Sequence, residues 1–259
     1  MSEPTTIRCE VEDHVATVTL ARPDVLNAFN QAMLDEFVAL WQHVRVDDEI
    51  HAVVLRADGD RAFSAGVDRK EGRFRHPNPW SADDPGYSLG PKQNRCYKPV
   101  ITAVQGMAAG GAFYWINESD IVICSDDATF FDPHVSFGLV SALEPSGLLR
   151  RVPLGEVLRI ALMGSTERVS ARTAKEIGLV SEVVPRAELW ERAAHLARTI
   201  ASFPPIAVQG TVRAIWEMAD TNSRVARDTG LLYTHVGNPP AEESERRFAE
   251  RTPTPWELR

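Results

Sequence analysis

A few short stretches of this chain hold the residue types that could do chemistry together. Gly110-Gly111 stands where an apolar strand expected over residues 99–104 hands over to a helix expected to begin near Ala112. A tight turn there needs glycine, and the first N–H groups of a helix have no acceptor of their own. Phe63-Ser64-Ala65-Gly66-Val67-Asp68 follows a second apolar run, residues 51–56, and again sets a small turn at a strand end. Two such turns on neighbouring strands can aim one N–H each at a single oxygen that gains charge. Downstream, His134 titrates near neutrality and suits general-base work if a partner fixes its tautomer. Two partners are open: Glu144, ten residues on and ranked first, and Asp132, which shares a face with His134 if the segment is extended. Tyr114 is a hydrogen-bond donor at pH 7, and Glu118, one helical turn later, could bond to it or act as a spare acid.

The elements that must position these residues read as strand, glycine turn and helix in alternation, which predicts an α/β fold. Residues 7–12 and 15–20 alternate apolar and polar about Asp13-His14 as a β-hairpin. Met33, Leu34, Phe37, Val38, Trp41 and Val44 fall at helical spacing within 30–46. Further helices are predicted over 148–163, over 171–177 with Gly178 as the stop, over 188–201 and 205–219 separated by Pro204-Pro205, and over 241–251, ended by Pro253 and Pro255. Residues 69–98 lack periodicity. A stretch this long is either a surface loop or a lid, and Phe74, Trp80 and Tyr87 among Arg69, Lys70, Arg73 and Arg75 could cover an acyl chain and meet phosphates.

With 259 residues, 44% of them apolar, the chain can fill a large core. A net charge of −8 argues against nucleic acid and anionic membranes as partners, so a phosphate-bearing ligand must find local Arg and Lys. Cys9, Cys96 and Cys124 fit no metal-ligand spacing; free thiols in a reducing cytoplasm are expected, with no metal site. No apolar run reaches the length of a membrane helix. The Gly-Gly turn lacks the G-x-G-x-x-G spacing of a dinucleotide fold, so neither nicotinamide nor flavin is implied.

Asn27-Ala28 after Arg22-Pro23, then F-S-A-G-V-D at 63–68 and K-P-V-I-T-A-V-Q-G-M-A-A-G-G at 98–111, resemble the enoyl-CoA hydratase/isomerase, or crotonase, superfamily. The likeness continues through Ser119-Asp120-Ile121, Ala128, Phe130 and Pro133 and resumes over 164–185. It implies an α/β crotonase-like spiral of β-β-α repeats over 1–195, with its site for an acyl-CoA thioester. Residues 196–259 would form a C-terminal helical region that builds homotrimers, often paired as hexamers. CoA enters as part of the substrate, with no separate cofactor. By position, the N–H groups of Val67 and Gly111 would form the oxyanion hole. Ala65, through its carbonyl, and Asp68 would lie near the adenine, although Asp68 could equally cap its own turn. Phe248 and Arg251 would reach the adenosine end of CoA across a subunit interface, or else belong to an ordinary exposed helix. The segment 69–98 would lie over the acyl pocket.

The resemblance breaks at the acid and base. Where the family's hydratases carry two glutamates, this chain has Tyr114 and His134. The expected chemistry is therefore isomerisation, carbon–carbon hydrolysis or a lyase reaction on a CoA thioester, with His134 and Glu144 as acid/base and Tyr114 as donor. A carbon–carbon hydrolase of the superfamily, 6-oxocamphor hydrolase, is similar in having a histidine after the same proline and an aspartate downstream. Two alternatives stay open: a hydratase whose water is held by Tyr114 and His134, and a non-catalytic acyl-CoA binder.

Overall fold

Positive φ at Asp13 and His14 closes the first hairpin, joining β1 (Ile7–Glu12) to β2 (Val15–Leu20). The structure is a computed structural model and describes residues 6–71, 78, 80, 84–251 and 256–259; Arg73, Phe74, Arg75, Pro253 and Pro255 lie outside the described residues. Helix α1 (Gln31–Val44) starts where the Asn30 side chain accepts the N–H of Met33, a cap worth about 1 kcal/mol. Then come β3 (Ala52–Ala57), β4 (Ala62–Ser64), β5 (Val100–Val104), β6 (Met107–Ala109), α2 (Phe113–Glu118), β7 (Ile121–Ser125) and β8 (Thr129–Phe131). The first compact unit, Met1–Phe203, closes with α3 (Leu143–Leu148), α4 (Leu154–Met163), β9 (Val169–Ser170), α5 (Ala171–Glu176), β10 (Glu182–Val184) and α6 (Leu189–Ala201). The second, Pro204–Arg259, holds α7 (Pro205–Ala219), α8 (Ser223–Gly237) and α9 (Ala241–Glu250).

Two sheets organise the first unit: β1-β2-β3-β5-β7-β10 and β4-β6-β8-β9. Alternate residues of β3 serve different cores. Val53 and Leu55 join α1 and the buried rings of Phe37, Trp41, Phe63 and Trp115, whereas Ala52 and Val54 pack with Leu189, Ala193 and Ala197 of α6. A parallel sheet covered on both faces needs apolar residues throughout, as β3 and β5 show. The small sheet carries the function. Strands β4, β6 and β8 are adjacent and parallel, so the residues following each, 65–68, 110–111 and 132–134, emerge at one edge. Ligands favour that end of parallel strands.

Three expectations change. Residues 148–163 are not one helix: α3 and α4 are separate, and Pro153, which has no N–H to donate, precedes α4. The expected boundary at 195/196 falls inside α6, whose alanines belong to the core of the first unit; the division comes after Phe203. Helix α8 occupies a segment for which the sequence analysis named no element, and large apolar residues on it, among them Leu231 and Leu232, are exposed. The aperiodic segment is anchored at its far half: Pro85–Leu89 forms a 3-10 turn, and the Leu89 carbonyl accepts the indole N–H of Trp41 at 2.9 Å.

Candidate active site

The first two turns meet backbone to backbone. Gly66 has φ +85°, and a Cβ there would stand 2.7 Å from the Gly111 nitrogen and 2.8 Å from the Ala109 carbonyl oxygen. Only glycine permits that approach. Behind Gly111 sits the Phe29 ring, 2.5 Å from where a Cβ would be, and Phe29 in turn meets Trp115 edge-on at 5.9 Å. Phe29 also bridges to Val67 using its own N–H and that of Asp68, which leaves the Val67 N–H outside the pairing. Gly111 lies in the first turn of the 3-10 helix Gly110–Ala112 that leads into α2, where amides have no intrahelical acceptor. Among the described residues neither amide donates to a protein acceptor, and Val67 and Gly111 line one cavity of about 680 Å³.

His134 opens the 3-10 turn after β8, and its Cε1 is 3.8 Å from the position of a Cβ on Gly110, next to Gly111. Its Nδ1 is bound to Asp132 Oδ1, and its Nε2 lies 3.6 Å from Glu144 Oε1. Both candidate partners are thus present, on opposite ring nitrogens. Asp132 rather than Glu144 holds Nδ1: it is 1% exposed and also accepts from the Ser141 hydroxyl and the His134 N–H. Burial opposes its ionisation, but the bonds from His134 and Ser141 outweigh that and hold its carboxyl below the ordinary value. His134 is shifted up, chiefly by Asp132 and then by Glu144, against burial. Glu144, 8% exposed in the first turn of α3, is held above the usual carboxylate range by burial, even beside His134. The Asn117 amide donates to the Glu144 carbonyl at 2.7 Å and ties α3 to α2.

Tyr114 differs from its expected role. Its hydroxyl donates to Asp84 Oδ2 at 2.5 Å, so its one proton is committed to a carboxylate that sequence reasoning missed. Glu118 does not bond to it; its carboxylate accepts the N–H groups of Lys92 and Gln93. Ala65 lines the cavity. Asp68 accepts from Lys70 N and pairs with Arg22 at 3.0 Å, the arrangement of a turn cap. Trp80 is 91% exposed, and Tyr87 meets the Tyr114 ring edge-on at 6.5 Å. Phe248, on α9, and Arg251, at its end, are exposed and belong to the second unit. Arg69 and Arg168 line the cavity and lie over the rings of Phe137 and Phe131 at 4.5 and 4.6 Å. Asp132, His134 and Glu144 bring ligand-type atoms within 4.8 Å of one another.

The family described as enoyl-CoA hydratase/isomerase matches residues 10–259. The chain belongs to that family. It is 31% identical over 235 residues, 89% of this chain and 88% of the relative, to an (E)-benzylidenesuccinyl-CoA hydratase of Thauera aromatica. It is 33% identical to a 1,2-epoxyphenylacetyl-CoA isomerase of Escherichia coli, with 84% of each covered. Among solved structures, an enoyl-CoA hydratase/isomerase from Mycobacterium paratuberculosis superposes with a TM-score of 0.88 at 37% identity, over 99% of this chain and 100% of that one. The mixed α/β architecture with its C-terminal helices is therefore the crotonase fold, and the chain is an enzyme of this family by descent. Among the described residues no helix is long and apolar enough to cross a membrane.

Proposed function

We propose that the chain transforms an acyl-CoA thioester through an enolate whose oxygen is held by the N–H groups of Val67 and Gly111, while His134 moves the proton. The observation that carries this reading is the placement of His134: Nδ1 tied to buried Asp132, Nε2 facing Glu144, and the ring beside Gly110. With Nδ1–H donating to Asp132, Nε2 is the basic atom. Deprotonation beside the thioester carbonyl would give the enolate and an imidazolium stabilised on both sides by carboxylates. Returning the proton to another carbon would isomerise the substrate, and expulsion of a β leaving group from the enolate would give the lyase variant; in the hydrolase variant His134 would instead deprotonate a water that adds to a β-keto carbonyl, and the carbon–carbon bond would break to a carboxylic acid and the same enolate, which takes a proton back from the imidazolium. Hydration by two glutamates is disfavoured, because those positions hold Tyr114 and His134 and the Tyr114 proton is committed. Assembly into homotrimers or hexamers belongs to the same proposal, supported by the exposed stripe Leu154, Leu158 and Leu162 on α4.

The test is turnover and binding across crotonyl-CoA, 3-enoyl-CoA and β-keto-acyl-CoA substrates. Turnover of a 3-enoyl or β-keto substrate that depends on His134 is expected, with crotonyl-CoA hydrated slowly. Normal crotonyl-CoA hydration would overturn the reading, and binding without turnover would make the protein a non-catalytic acyl-CoA binder. The acidic chain also needs local positive charge for the anionic part of CoA, and Arg69 and Arg168 face the cavity with no carboxylate partner among the described residues. Replacing both by alanine is expected to raise KM roughly tenfold with little change in kcat, the equivalent of one charged hydrogen bond. The defect should shrink as salt rises; a KM unchanged at low salt removes these arginines from substrate binding.

A further inference from the structure

We infer that Asp84 is a positioning residue of this site: by taking the Tyr114 hydroxyl proton it turns the phenol's lone pairs toward the cavity, so Tyr114 accepts where sequence reasoning had it donate. The inference rests on the acid/base reading above. Asp84 comes from the aperiodic segment, thirty residues before Tyr114, and is held by its own turn: one carboxylate oxygen accepts Gly86 N at 3.2 Å, the other accepts the Tyr114 hydroxyl at 2.5 Å. Gly86 lacks a side chain where the Tyr114 ring needs the space, since a Cβ would fall 2.2 Å from Cζ. The Tyr87 ring closes another side edge-on. Ring and hydroxyl are therefore clamped, and Asp84, Tyr114 and Glu144 line the same cavity.

A phenol has one proton and two lone pairs. With the proton on the Asp84 bond, Tyr114 can only accept from the cavity. Burial, then the charges of Glu144 and Asp84, hold its ionisation far above the ordinary tyrosine value, so the proton stays. Burial chiefly, with Asp132 and Asp84 adding to it, raises the Glu144 carboxyl above its ordinary value against the pull of His134.

Asp84→Asn separates this role from structural support. The asparagine oxygen still caps Gly86 N, but its NH₂ now donates to Tyr114 and reverses the phenol. With the acyl-CoA that gives turnover, Asp84→Asn and Tyr114→Phe are each expected to lower kcat about tenfold, the rate equivalent of one charge-assisted hydrogen bond, with KM nearly unchanged. The double variant should be no slower than Tyr114→Phe alone. The Tyr114 ¹³Cζ resonance, which differs between a donating and an accepting phenol, should move in Asp84→Asn and reads the bond without turnover. An unmoved resonance, an unchanged kcat, or an equal loss in the Tyr114→Phe background would overturn the inference. His134→Ala measured alongside keeps the readings apart: if it retains full turnover, the acid/base reading fails, whereas an inactive His134→Ala beside an unaffected Asp84→Asn removes Asp84 alone.

Discussion

Replacing His134 by alanine is expected to lower kcat by about 10²–10⁴, the usual worth of a positioned general base, while binding of the CoA thioester persists. The loss should be large because the imidazole lies beside Gly110 in the cavity, with Nδ1 held by a buried carboxylate and Nε2 left as the basic atom. The pH dependence follows from the same pair. The neutral imidazole is the base, so activity falls as pH drops through the His134 value, which Asp132 has raised. The acid limb therefore lies above about 6.5, the ordinary histidine value. Asp132→Asn removes the main cause of the shift and should carry that limb downward while lowering the plateau. Stability obeys the same linkage: the pair's contribution is lost as pH rises through the raised His134 value, and again as it falls through the depressed Asp132 value. Kinetic pH profiles and melting temperatures across pH check both; a limb that stays put in Asp132→Asn would remove Asp132 as the orienting group.

The second large effect concerns the main chain. Gly66→Ala should lower kcat by about 10²–10³, the cost of losing one oxyanion donor. The added Cβ meets the Gly111 nitrogen and the Ala109 oxygen below 3.0 Å, at a backbone φ of +85° that alanine rarely adopts, so both amides must shift from the oxygen proposed as their target. Gly155→Ala, on α4 where nothing lies within 4 Å of the new methyl, is the matched control and should leave kcat unchanged. Melting temperature and acyl-CoA affinity, measured together, separate misaligned donors from a damaged fold. If Gly66→Ala keeps wild-type kcat, the two amides do not act on the reacting oxygen.

What could be read ahead of the structure was what glycine and local spacing encode. Gly66 and Gly110-Gly111 mark strand ends whose turns admit no side chain, and the hairpin, α1 and α7 follow from period alone. The ranking of partners around His134 could not be read, because proximity in sequence does not say which ring nitrogen faces which carboxylate. Asp132 reaches Nδ1 because Pro133 and the 3-10 turn fold the chain back on itself; Glu144 reaches Nε2 only through α3. Asp84 was hidden more thoroughly. It sits in a segment without periodicity, and its bond to Tyr114 depends on packing across Gly86, which leaves no pattern in the chain. Helix α4 began late for a plain reason: Pro153 has no N–H to donate and breaks the run that apolar spacing suggested.

The apposition of Gly66 and Gly111 divides labour in a way that matters for redesign. In the proposed reaction the thioester would be gripped by peptide groups set in glycine turns and backed by Phe29, whereas the proton would be handled by side chains that reach the same cavity from α2, α3 and the 3-10 turn after β8. A new reaction can therefore be sought by exchanging Tyr114, His134 or Glu144 without disturbing the grip. Improvements sought by mutating the turns themselves would work against the one part of the site that has no spare room.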